Sequence, residues 1–262
     1  MTVCIRKKQR GFTLIELVVV IVLLGITAVT FTVLITGSVR GYLDTANRQD
    51  SAAIARIALD RMARELREAV PQSIRISGSC LQYLPITAST VYTSLDANKT
   101  TVSVMDFAAP AGNGFSAVVY PISADELYNT ASPTVALKPI SNISGVDANG
   151  LRTITLASGF PAPRLSPGER LYVVSTPVSY CFSGTQLLRY TGPISATQPV
   201  PPSANLQNAA LLVDKLTPNA GAFTYQAGNW QNNALVTIAF TIQQANNETL
   251  QFDHEVWLRN AQ

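Results

Sequence analysis

The sequence predicts an α+β chain, in which one long N-terminal helix, part membrane-spanning and part amphipathic, packs on an antiparallel β-sheet domain. Three observations predict it. An apolar run fills residues 12–35 with a single charged residue, Glu16. From Ser51 to Ala69 apolar residues recur at alternating spacings of three and four, the period of a helix with one buried face. After Pro71 that period vanishes, and short apolar runs alternate with Gly, Pro and Asn turns, the pattern of antiparallel strands.

The first eleven residues form a basic leader, with Arg6, Lys7, Lys8 and Arg10 and no acid. The chain of 262 residues carries a net charge of +3, and loss of this leader takes it to −1. A body so close to neutral, with its Lys and Arg scattered after residue 71, gives no electrostatic case for nucleic-acid binding. Residues 12–35 would make a helix of about 36 Å, enough for a hydrocarbon core of about 30 Å. A secretory signal has an apolar run of about 7–15 residues followed by a small-residue cleavage site. This run is longer, has no such site after it, and is preceded directly by Gly11. Glu16 is costly there, since a charge at the bilayer centre costs roughly 2.5–3.5 kcal/mol on insertion scales.

The helix is expected to continue as an amphipathic segment over residues 36–70. Ala52, Ala55, Leu59, Met62, Leu66 and Ala69 draw its apolar stripe, and Arg56, Asp60, Arg64 and Glu68 form a ladder of opposite charges on another face. Pro71 ends it. A break near Gly37 to Gly41, giving two helices, is the alternative.

Residues 71–262 are expected to form one β-rich domain outside the membrane. Strands are predicted from Cys80, Ser116, Leu151, Arg170 and Val178, the last opening a hairpin that turns at Ser183-Gly184. A final hairpin joins strands from Leu235 and Thr249 through Ala245–Glu248. The proline-rich stretches from Ser158 and Thr191 read as loops.

No enzyme is predicted. The one histidine, His254, lies in an alternating strand between Asp253 and Glu255, so the three point to opposite faces and cannot converge. Nucleophile-elbow, zinc-protease, phosphate-loop and dinucleotide motifs are missing. Asp147-Ala148-Asn149-Gly150 offers too few oxygens for calcium and reads as a turn, so no metal or cofactor is expected. Tyr83, Tyr120, Tyr172, Tyr180 and Tyr190 fall in strand candidates and are assigned to packing.

The basic leader, Gly11-Phe12-Thr13-Leu14-Ile15-Glu16-Leu17 and the apolar helix together resemble the signal of type IV prepilins and type II secretion pseudopilins. That resemblance implies a pilin-like fold, cleavage between Gly11 and Phe12 by a prepilin peptidase, and N-methylation of Phe12. It also implies that Glu16 meets the Phe12 amine of a neighbouring subunit. Opposite charges about 4 Å apart gain roughly 4 kcal/mol at an effective dielectric near 20, comparable to the insertion cost of the lone carboxylate. Implied partners are other minor and major pilins, the peptidase, inner-membrane lipid and an inner-membrane assembly platform, with the β-rich domain in the periplasm and then on the fibre. Cys4 leaves with the leader, so Cys80 and Cys181 remain as one possible disulfide, which requires an oxidising compartment; two buried free thiols are the alternative. Stretches from Leu59, Cys80, Val178, Leu211 and Leu235 are similar to the minor-subunit group that includes MshO, PilW and pseudopilin J. A signal-anchored binding or adhesive domain is the reading from another class.

Overall fold

The computed structural model describes residues 11–132, 134–217, 222–228 and 232–258. The basic leader expected over residues 1–11, with Cys4, lies outside them except for Gly11. The chain divides into two compact units between Asp50 and Ser51. Helix α1 (Leu14–Arg67) contributes to both.

In the first unit α1 continues through Gly37 and Gly41, so the break allowed there does not occur. Side chains from Gly11 to Thr45 are all exposed. The hydroxyls of this apolar stretch bond within the helix: Thr27, Thr30, Thr32 and Thr36 donate to the carbonyls of Leu23, Ile26, Ala28 and Thr32 at 2.6–3.0 Å. None then needs water, as a hydrocarbon environment requires.

In the second unit α1 buries Ala55, Ala58, Leu59, Met62, Ala63 and Leu66. This is the predicted stripe widened by two alanines, while its outer members Ala52 and Ala69 are half-buried. Arg56, Asp60, Arg64 and Glu68 are solvated. The helix stops at Arg67, short of the expected boundary at 70. Pro71 disfavours helical geometry for Val70, whose amide donates instead to the Leu84 carbonyl at 2.8 Å.

Fourteen strands follow among the described residues, as two open sheets and a closed barrel. Strands β1 (Arg75–Ser77) and β2 (Cys80–Tyr83) begin the first sheet. The chain then leaves to build the barrel: β3 (Ile86–Ser94), β4 (Thr101–Met105), β5 (Ser116–Val118), the short helix α2 (Asp125–Tyr128), β6 (Leu137–Ile143), β7 (Leu151–Leu156) and β8 (Arg170–Val174). It returns through β9 (Val178–Ser183), β10 (Gln186–Thr191) and β11 (Gln207–Val213), which complete the sheet in the order β1-β2-β9-β10-β11. Strands β12 (Ala222–Gln226), β13 (Ala234–Gln243) and β14 (Thr249–Leu258) form the second sheet.

All these pairs are antiparallel, and barrel neighbours run β3-β4-β7-β6-β5-β8. Two strands form its neck. β2 pairs with β9 from Cys80↔Cys181 to Tyr83↔Val178, and the same two chain segments pair again as β3 with β8, starting at Ile86↔Val174. The predicted α+β class stands, with a barrel insertion that short-range periodicity does not reveal.

Three apolar clusters divide the unit. One packs α1 against both sheets through Met62, Leu66, Leu81, Leu187, Ile238 and Val256. The second fills the barrel around Tyr92, Val104, Ile154 and Phe160. The third, with Val70, Leu84, Leu127 and Val174, lies where the neck enters the barrel. The predicted hairpins form. The first turns one residue later than expected, at Gly184-Thr185, with Gly184 at φ +59° as a two-residue turn of the primed kind requires.

Gly159 marks a close approach of backbones. A Cβ there would stand 2.3 Å from the Asn98 carbonyl carbon, beside the 2.7 Å bond from the Asn98 amide to the Phe160 carbonyl. Gly159→Ala is expected to destabilise the barrel by about 1–3 kcal/mol. Gly145→Ala, which meets nothing within 4 Å, serves as the control. Chemical denaturation of both variants checks this; equal midpoints would refute it.

Candidate assembly site

The sequence-predicted site residues fall at two places, the start of α1 and the neck of the barrel. At the helix start, Thr13 precedes the first helical residue, and its Oγ1 accepts from the Glu16 amide at 3.4 Å. Thr13-Leu14-Ile15-Glu16 has the spacing of a capping box. Glu16 therefore sits in the first turn, where the free N–H groups of the helix favour a negative charge. Its carboxylate is exposed, as are Phe12 and Leu14, each 82% accessible. Gly11 is unconstrained: a Cβ would meet nothing within 4 Å, and its φ is not positive. Among the described residues, nothing requires glycine at 11. Helix α1 is long and apolar enough to cross a membrane, and its apolar N-terminal stretch is exposed.

At the neck, Cys80 and Cys181 face each other across β2 and β9 and are joined by a disulfide spanning 101 residues of sequence. Both are fully buried. The bond closes the sequence loop that contains the whole barrel. Beside it, the Gln198 amide donates to the Cys80 carbonyl at 2.9 Å. Arg75 donates to the Gln82 side chain at 2.5 and 2.9 Å and to the carbonyls of Ser195 and Ala196 at 2.8 Å. Its guanidinium lies 3.7 Å from the centroid of the Tyr128 ring, fixing the loop after β10 and helix α2 to the neck.

A third polar centre was not read from the sequence. Glu65 of α1 accepts hydrogen bonds from Tyr83 Oη at 2.5 Å, Tyr180 Oη at 2.6 Å, Arg61 Nε at 2.9 Å and Arg189 Nε at 3.0 Å. One carboxylate thus ties the helix to β2, β9 and β10. Burial pushes its carboxyl up, but the bonds from Tyr180, Tyr83, Arg61 and Arg189 outweigh that effect and hold it down at about 2. Burial raises both tyrosines, so they stay protonated donors. The assignment of Tyr83 and Tyr180 to packing alone is therefore incomplete, although their rings do stack 5.9 Å apart. Tyr172 is buried in β8, Tyr190 is half-buried in β10, and Tyr120 lies beyond the end of β5 rather than in a strand.

The remaining residues considered for chemistry are accounted for locally. His254 is half-buried in β14 opposite Ile238, while Asp253 and Glu255 are exposed. Asp147 Oδ1 accepts from the amides of Asn149 at 2.8 Å and Leu151 at 2.9 Å, and Gly150 has φ +76°. That stretch is the turn between β6 and β7.

No curated protein and no solved structure matches the chain. Residues 6–32 match a family model described as the prokaryotic N-terminal methylation motif. The match covers the end of the leader and the first part of α1, and no other part of the chain.

Proposed function

We propose that the protein is a minor pilin, MshO-like, that joins the complex initiating or capping a type IV pilus and primes fibre assembly. The observation that carries this reading is the N-terminal motif together with a helix long and apolar enough to cross a membrane, whose side chains from Gly11 to Thr45 are exposed. Such a surface needs lipid before assembly and neighbouring helices after it. Gly11 is compatible with this reading: among the described residues nothing demands glycine there, which leaves recognition by the peptidase as its role. The mature chain begins at methylated Phe12, is anchored in the inner membrane, and holds its β-rich unit in the periplasm until incorporation. Pseudopilin K-type tip subunits lack the glutamate, whereas this chain keeps Glu16 and docks beneath another subunit. A pseudopilin J-like role in type II secretion uses the same residues, and the strain's fibre or secretion defect distinguishes the two.

Glu16→Ala is expected to leave leader cleavage intact and lower incorporation into sheared fibres at least about tenfold, the equivalent of roughly 1.4 kcal/mol of lost pairing. Immunoblots of membrane and fibre fractions read both steps. Normal piliation in a strain carrying only this variant, or a chain that retains Met1 by intact mass, would overturn the reading in favour of a signal-anchored domain.

A further inference from the structure

We propose that a groove at one end of the barrel binds a neutral sugar ring, a property independent of the fibre assignment. The segment from Asp106 to Phe115, which carries the chain from β4 to β5, runs beside β6, and the Ile140 amide donates to the Phe115 carbonyl at 2.9 Å. Segment and strand enclose a groove of about 210 Å³. That is below the roughly 300–1,000 Å³ of drug-sized ligand sites, so the groove has room for one sugar ring at most.

The lining decides the chemistry. None of its residues is charged, so a phosphate, a carboxylate or a metal ion would lose hydration without gaining a counter-charge. Its rim carries Asn113, Ser141 and Asn142, all exposed. Each amide supplies donors and an acceptor, and the hydroxyl supplies both, which is what sugar hydroxyls need. Ser141 and Asn142 stand at a register shift between β6 and β7, where an irregular ladder re-aims side chains. Gly112 and Gly114, at φ +98° and +89°, have open space where a side chain would begin, leaving backbone amides approachable. Phe115, Ile140 and Ile143 supply apolar surface and are partly buried against the barrel core. A pyranose presents the same division, an apolar C–H face and a hydroxyl edge.

The test uses the full chain in phosphocholine micelles, a detergent without sugar. Methyl β-galactoside, methyl β-glucoside and N-acetylglucosamine are read by saturation-transfer NMR, and immobilised uncharged oligosaccharides ending in the same sugars form a second arm. Binding is expected in at least one arm, with Asn113→Ala and Asn142→Ala each weakening it about tenfold, as loss of a hydrogen-bonding group does, at unchanged melting temperature. Binding of the free sugars identifies the ring alone as the ligand, and binding only of the immobilised chains identifies an extended glycan. Silence in both arms overturns the proposal. So does binding that survives both substitutions, or equal binding of glucuronate.

Discussion

Replacing Glu65 with alanine is expected to lower the melting temperature of the β-rich unit by about 6–12 °C, the counterpart of a loss near 3 kcal/mol for a domain of this size. The loss comes less from the missing bonds than from what remains. Tyr83 and Tyr180 keep hydroxyls at a buried interface, and Arg189 keeps a half-buried charge, all three without their acceptor. Glu65→Gln should fall between wild type and Ala, because one oxygen still accepts while the amide group presents donors to donors. Calorimetry of the three proteins checks the order, and a Gln variant as stable as wild type would show that the charge plays no part.

The same carboxylate makes stability depend on pH in a defined window. Its folded value of about 2 lies below the ordinary 4.5, so the folded state holds the ionised form more tightly than the unfolded chain does. This contribution is fully present above about pH 4.5 and disappears as the pH falls through about 2. With an allowance for its residual exposure it amounts to roughly 2–3 kcal/mol. Urea midpoints of wild type and Glu65→Ala should therefore converge between about pH 5 and pH 2, whereas a constant difference across that range would contradict the assignment.

Glu65 also shows where local reading stops. Met62 and Leu66 announce themselves by spacing, because helix period and burial are the same fact seen twice. Glu65 is one charge among several in the same turn, and apart from Arg61 its partners lie 18, 115 and 124 residues away. No window of sequence contains them. The barrel escaped for a related reason. β3 is Ile-Thr-Ala-Ser-Thr-Val-Tyr-Thr-Ser, in which only Thr90 and Tyr92 are buried, so its alternation is written in small polar residues. β6 contains Pro139, which argues against an internal strand; it is accommodated beside the register shift at Ile140 and Asn142. Strands with a clear apolar face, such as β13 and its partner β14, were legible from alternation alone. At the helix start the motif was legible, because residues 6–32 carry it as a local, linear pattern.

Removing the disulfide, as Cys80→Ala with Cys181→Ala, is expected to cost about 4–5 kcal/mol in a single unfolding transition. The chain-entropy account gives about 4.7 kcal/mol for a loop of about 100 residues, which matches the separation of 101 between the two cysteines. That figure assumes the barrel unfolds together with the sheets. If the barrel outlasted them, the pairing of β3 with β8 would still hold Ile86 near Val174. The disulfide would then close only the two short connections from those residues to Cys80 and Cys181, an effective loop of about 15 residues worth about 3 kcal/mol. The size of the loss thus reports how the insertion is coupled to the rest. The apolar cluster of Val70, Leu84, Leu127 and Val174 spans the neck and cannot be lost from one side alone, which favours the larger value and one transition. Denaturation followed at once by tyrosine fluorescence and by amide exchange of the barrel strands decides it. Coincident curves with a loss of about 4–5 kcal/mol would mark one cooperative unit, and a loss of about 3 kcal/mol with protected barrel amides would mark a barrel that folds by itself.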